Sequence, residues 1–420
     1  MSLVKIKVMK FSSQSILFVW FLIGMYLNLS LFISEGLFIP NFIAYFSGGL
    51  LVMIHIKKFL YRKYITFIVG ILIVSILSII FSPKLVPGVL KEQMLSFAQL
   101  VLSLVTCFGV LFTLEHLGSR KVSRIFFVFA FILVSGSFLE RFSPLVKDLS
   151  DAFRNLIYKF GVYSSDIRDL NMSGYVRPKF FSREPSFLSQ FLFLSIFIWS
   201  IISSFRYKIS LTLFIVTISI IIIGSPKMLI IFPLLFVFNI KIIQKYLFKY
   251  DFIFLICIFL ILISLTFFVN NIFNFRINEF ISGSDQSFNM RITIPLVVLF
   301  SSIVKYPFFS VGLGGKETSL EIFNNTLSSF GYDWMVRSGF EPNFHSFSLE
   351  TVHFFGLLGT LLIVFLFNRY LLKGFFKYQF FIYWFSLLLI SLMGGFFVGV
   401  KSWFVVVVLY YAISNHKKYV

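Results

Sequence analysis

Apolar residues run through this sequence in blocks, not in stripes. Stretches such as Ile215 to Ile223 and Phe252 to Ile263 are apolar on every side, without the period-two alternation of a barrel strand. The blocks are about 17 to 22 residues long, the length that carries a helix across ~30 Å of hydrocarbon. The pattern predicts twelve spans: 12–33, 37–54, 65–82, 94–114, 124–142, 185–204, 209–223, 227–240, 251–269, 346–367, 380–399 and 402–414. Two long connections separate them, 143–184 and 270–345. Inside the second, residues 292–304 form a short apolar segment. Counting it as a crossing would invert every later loop, so it is expected to lie as an interfacial or re-entrant helix. The predicted class is all-α: a polytopic integral membrane protein with about twelve transmembrane helices and two long periplasmic loops.

Charge orients these spans. With the N-terminus inside, the short cytoplasmic segments carry Lys5, Lys7, Lys10, Lys57, Lys58, Arg62, Lys63, Arg120, Lys121, Arg124, Arg206, Lys208, Lys241, Lys245, Lys249, Arg369, Lys373, Lys377, Lys417 and Lys418. Only Glu115 and Asp251 oppose them, so most of the +20 net charge becomes a positive-inside signal with both termini cytoplasmic. Contact with anionic headgroups explains this charge better than nucleic acid does. Lys5, Lys7 and Lys10 precede a span too long for a signal-peptide core, which predicts a retained anchor. Charged residues make up 13% of the chain against 58% hydrophobic, and the short inner connections leave no room for a nucleotide-binding domain. The two cysteines, Cys107 and Cys257, fall inside spans and imply no disulfide framework.

The candidate chemistry gathers in the outer loops. The first ends in Arg177-Pro-Lys-Phe-Phe-Ser-Arg183-Glu184-Pro185-Ser186, where Pro185 suits a helix start and Glu184 sits beside its positive end. The plain reading is interfacial anchoring; the functional one is an anionic headgroup facing the arginine forks. The second loop carries Asn289 and Arg291, then the short helix, then Tyr306-Pro307-Phe-Phe-Ser-Val-Gly312-Leu-Gly314-Gly315-Lys316. Successive N–H groups in such a glycine run can face an anion, or the run is only a tight turn. The loop closes on His345-Ser346-Phe-Ser-Leu-Glu350-Thr-Val-His353, followed by Gly356 and Gly359. At helical spacing Glu350 lies about 60° and His345 about 80° from His353, one broad face of titratable groups at a span's outer end. Alternatively His345 caps the helix or bonds a loop. Two histidines without a thiol fall short of the three or four ligands of a zinc site, so neither metal nor cofactor is expected.

Together these passages resemble the O-antigen polymerase and ligase group, and within it the Wzy-type polymerases of repeat-unit polysaccharides. The resemblance covers the overall plan and three passages: Arg177 to Ser186, Arg291 to Gly315, and His345 to Gly359. Ser310 stands where a glycine is common, and Ser346 follows His345 where ligases tend to have Asn. The resemblance implies a glycosyltransferase of the bacterial inner membrane, acting at the periplasmic face on an undecaprenyl-diphosphate-linked oligosaccharide in O-antigen (lipopolysaccharide) or capsule biosynthesis. A chain-length regulator is a further expected partner, and nucleic acid is not. It implies Arg177, Arg183 and Arg291 on the diphosphate, His345 or Glu350 as base with His353 in support, and Glu184, Gly312, Gly314 and Gly315 as supporting residues. Two alternatives stay open: a ligase of the same group, and a flippase of the lipid-linked oligosaccharide.

Overall fold

A computed structural model describes residues 12–34, 37–84, 87–158, 167, 169–170, 175–205, 207–235, 237–238, 289, 293–337, 344, 346–391 and 394–416. The expected span 251–269 lies outside them, as do His345 and Arg291.

The described chain is helical, with one short antiparallel hairpin pairing Leu31–Ser34 with Leu37–Ile39. Its main helices are α1 (Ser13–Leu27), α2 (Phe42–Ile54), α3 (Arg62–Ile80), α4 (Pro87–Phe142), α5 (Pro144–Ile157), α6 (Pro185–Ile202), α7 (Lys208–Ile223), α8 (Ile294–Lys305), α9 (Lys316–Ser329), α10 (Phe347–Leu366), α11 (Lys377–Ser391) and α12 (Val400–His416). Among the described residues four helical stretches are long and apolar enough to cross a membrane: α3, α4, α6, and α10 continued to Leu371. These mark a membrane-embedded protein.

Several boundaries differ from those expected, each for a local reason. The first helix stops at Leu27 because Asn28 turns left-handed (φ 53°) and leads into the hairpin. The segments 94–114 and 124–142 join in α4, broken at Gly118, whose φ of 73° is outside the helical region. The first long connection is not all loop. Residues 144–157 form α5, which buries Ser150 and Arg154 and exposes Leu145, Leu149 and Leu156. A helix with its apolar side outward fits a lipid interface. Between 223 and 231 the chain makes only a 3₁₀ turn, Pro226–Ile230. The helix α11 ends at Ser391, and α12 begins at Val400, so Lys401 is in its first turn rather than in a connection.

α6 is the central helix, with nearly all its residues buried, whereas α3 leaves Val69, Ile73, Ile76 and Ile80 exposed. Aromatic rings fill the space between helices. Phe67 meets Phe367 edge-on at 5.1 Å, Phe21 meets Phe404 at 5.2 Å, and Phe197 meets Phe238 at 5.3 Å. This packing uses part of the chain's 62 phenylalanines: between helices in lipid, contact and ring geometry replace the hydrophobic effect as the source of adhesion.

The other architectural device is a break in α10. Gly356 sits at φ 61°, ψ −167°, a conformation essentially restricted to glycine. The passage 307–312 threads alongside this break. Leu357 donates to Pro307 O at 2.9 Å and Gly312 donates to Phe354 O at 3.1 Å, so the interrupted helix bonds are replaced by bonds to a neighbouring strand of chain. Ser310, in that passage, is left-handed (φ 43°), and its buried hydroxyl has no hydrogen-bond partner.

Two substitutions here have opposite expected signs. A Cβ at Gly356 would stand 2.5 Å from Phe308 O, and the conformation itself costs an L-residue about 1–3 kcal/mol. Gly356→Ala should therefore lower the melting temperature in detergent. Ser310→Gly removes left-handed strain of about 1 kcal/mol and an unpaired buried hydroxyl, against a backbone-entropy cost of about 0.5–1 kcal/mol. It should raise the melting temperature.

Candidate functional site: a cationic bundle end

The passage 177–184 is held from several sides before it reaches α6. Phe180 and Phe181 are both left-handed, at φ 38° and 64°, which bulky residues adopt only when their surroundings compel it. The compulsion is visible. The Glu140 carboxylate accepts the N–H groups of Lys179 and Phe180, an internal acid seated in a nest of backbone donors. Ser150 of α5 accepts from Phe181 N–H at 3.0 Å, and Ser182 donates to Lys179 O at 2.6 Å. Tyr158 donates to Leu27 O at 2.6 Å and to Phe181 O at 3.1 Å. Burial pushes the Tyr158 phenol well above its usual range, against the opposing influence of Arg183 and Arg154, which keeps it a donor. Gly136 leaves the room that the Phe180 ring takes: a Cβ there would lie 2.1 Å from it.

The two arginines of this passage have different surroundings. Arg177 is committed to the protein. Its Nε and Nη2 both reach Oδ1 of the fully buried Asp169 at 2.8 Å. Next to it, Arg141 lies 3.6 Å over the Tyr175 ring and donates to Ile221 O, covering the C-terminal carbonyls of α7. Arg183 instead belongs to a charge cluster with Glu184, Lys227 and Lys401, drawn from the passage itself, the 3₁₀ turn and α12. Glu184 occupies the N-cap of α6 without a side-chain capping bond. The Lys401 ammonium is sealed from solvent, lies 3.6 Å over the Phe187 ring, and has no hydrogen-bond acceptor.

The second group of candidate residues is more tightly packed. Gly312 and Gly314 press onto α3 and α4. Added Cβ atoms would lie 2.7 Å from Ser78 O and 2.4 Å from Ser96 Oγ. The N–H groups of Gly312, Leu313, Gly315 and Lys316 already donate to Phe354 O, Ser78 Oγ, Gly312 O and Gly314 O. The run is a close-packing device, and these donors are not free for an anion. His353 is fully buried. Its Nδ1 lies 3.1 Å from Ser302 Oγ and its Nε2 2.9 Å from Ser319 Oγ, with the Phe344 ring centred 4.5 Å away. Both ring nitrogens are thus used in tying α10 to α8 and α9.

Glu350 and His353 do not share one face. About 60° of separation is enough to send them to different neighbours. Glu350 is buried and accepts the N–H of Phe397, in the turn between α11 and α12. The same turn is closed by Trp403 Nε1 donating to Phe397 O at 2.8 Å. This turn connects the two groups: Glu350 braces it on one side, and Lys401 leaves it on the other toward Arg183 and Glu184. Arg141, Arg154 and Lys227 had no signal in the linear sequence that set them apart from ordinary loop and helix-end charges. The usable clue for Lys401 was a lysine between two spans with no acidic neighbour in sequence.

Among the described residues no cluster of His, Cys, Asp and Glu is arranged as a metal site. Comparison with protein-family models, with curated proteins and with solved structures finds no match.

The seating of Glu140 is testable. Glu140→Leu removes the acceptor and leaves the Lys179 and Phe180 donors unpaired, at a cost of about 1–3 kcal/mol each. The variant should melt lower and be cut faster by protease within 177–184. Unchanged cutting would mean the passage holds without the nest.

Proposed function

We propose that the chain polymerises polyprenyl-diphosphate-linked oligosaccharide repeat units, of O-antigen or capsular type, at the outer face of a bacterial inner membrane. The observation that carries this reading is the gathering of Arg183, Lys227 and Lys401 at one end of a bundle of apolar helices. The charge bias of the sequence assigns that end to the side away from the cytoplasm, within a plan of about twelve spans and two cytoplasmic termini. Nucleotide sugars are not supplied there, so a sugar donor must arrive already activated. A lipid diphosphate is the form that an apolar bundle with a cationic end suits.

The chemistry then divides among few groups. A hydroxyl oxygen of the acceptor sugar attacks the anomeric carbon of the donor. The bond from that carbon to the diphosphate oxygen breaks, and the bonding electrons leave with the diphosphate. Arg183 and Arg291 stabilise the charge that builds on the leaving group, while Arg177, paired with Asp169, positions the passage that carries Arg183. His345 takes the hydroxyl proton, while Glu350, buried on the Phe397 N–H, braces the turn between α11 and α12. His353 holds α10 in place through Ser302 and Ser319. The resemblance to Wzy-type polymerases supports the same assignment, and adds a chain-length regulator as partner.

Deleting the protein in its own host tests this against the rival readings. Lipid-linked single repeats should accumulate on the outer side. Accumulated long polymer would indicate a ligase, and repeats retained on the inner side a flippase. In that deletion strain His345→Ala should give no long polymer, and Arg291→Lys, which keeps the charge but loses the planar fork, should give little. Normal chain length from either removes that residue's role.

A further inference from the structure

The Lys401 amine has no hydrogen-bond acceptor. It is shielded from water in the first turn of α12, against the Phe187 ring at 3.6 Å and the Phe191 ring at 5.6 Å. The stem is only partly covered, so the side chain has a route outward. Cation–ring contact offsets part of the lost hydration, but an ammonium held in an apolar wall calls for a counter-charge. Among the described residues its charged neighbours are Glu184, Arg183 and Lys227. The cluster stands at the N-terminus of α6, an 18-residue helix whose N-cap Glu184 makes no side-chain capping bond. The helix end therefore adds positive potential to the same place.

The cavity beneath the ammonium, lined by Met25, Gln190, Phe191, Leu194 and Phe404, is about 10 Å³. That is near the limit for one water and too small for a phosphate. An anion is therefore met at the helix end, outside the cavity.

We propose that Lys401, with Arg183 and Lys227, forms a binding site for the phosphate of a lipid at the N-terminus of α6. The arriving phosphate draws the ammonium off the Phe187 ring. The site stands on the unpaired ammonium and the helix end. Only the identity of its lipid, a polyprenyl diphosphate rather than a glycerophospholipid, rests on the polymerase reading.

The test uses the full chain in nanodiscs of phosphatidylcholine, titrated separately with a polyprenyl diphosphate and with phosphatidylglycerol. Lys401→Met removes the charge and leaves an apolar side chain in an apolar wall, so folding should survive. It should weaken diphosphate binding at least tenfold, with Lys401→Arg within about threefold of the wild type. Lys227→Gln, at a half-buried position, should weaken binding at least threefold. Wild-type affinity in Lys227→Gln and Lys401→Met overturns the site, and wild-type affinity in Lys227→Gln alone does so if Lys401→Met fails to fold. Equal affinity for phosphatidylglycerol, with the same dependence on Lys401, supports the site but assigns it to ordinary headgroups. Loss of diphosphate binding in Lys401→Met with normal long polymer in cells supports the site and removes its role in polymerisation.

Discussion

Charge at the edge of hydrocarbon is the constraint on which this molecule turns. A bundle of apolar helices tolerates cations only where counter-charges, carbonyls or rings meet them. Three cations at this bundle end meet that condition differently. Arg177 has a buried carboxylate, Arg141 has helix carbonyls and a tyrosine face, and Lys401 has phenylalanine rings with Glu184 nearby but no hydrogen-bond acceptor. Of the three, Arg177 and Arg141 are tied into the structure, and Lys401 alone keeps its amine without a hydrogen-bond acceptor.

Around that end the backbone is unusually constrained. Two consecutive left-handed phenylalanines are compelled by an acid from α4, a serine from α5 and a tyrosine beyond α5. The break at Gly356 is mended by the 307–312 passage. Both devices satisfy backbone groups that a continuous helix would have satisfied itself. Both also hold side chains at fixed positions near a helix terminus, the precondition for electrostatic stabilisation of a developing charge. The turn between α11 and α12 joins them, through Glu350 on Phe397 and Lys401 near Glu184.

The helical class and the positions of most helices were legible because apolar blocks of membrane length leave few alternatives. The Arg177–Glu184 passage was legible too, since Pro185 and a run of charges mark a helix start. What the sequence did not disclose depends on distance. Arg183, Lys227 and Lys401 are separated by long apolar stretches, and no local pattern says they converge. The helix α5 was hidden because its apolar residues face outward, so its polar inner side reads as a loop. The glycines at 312 to 315 suggested an anion nest, yet packing against Ser78 and Ser96 uses the same small size for another purpose. His353 read as one of a face of titratable groups at a span's outer end, whereas two serine hydroxyls take both its nitrogens.

The central claim is that this end of the bundle transfers sugar from a lipid diphosphate. Reconstitution of the purified chain in vesicles with a polyprenyl-diphosphate-linked repeat unit tests it most directly. The account predicts elongated saccharide with one free polyprenyl diphosphate released per bond formed, and no requirement for nucleotide. An intact substrate, or elongation only when nucleotide sugar is added, would contradict it.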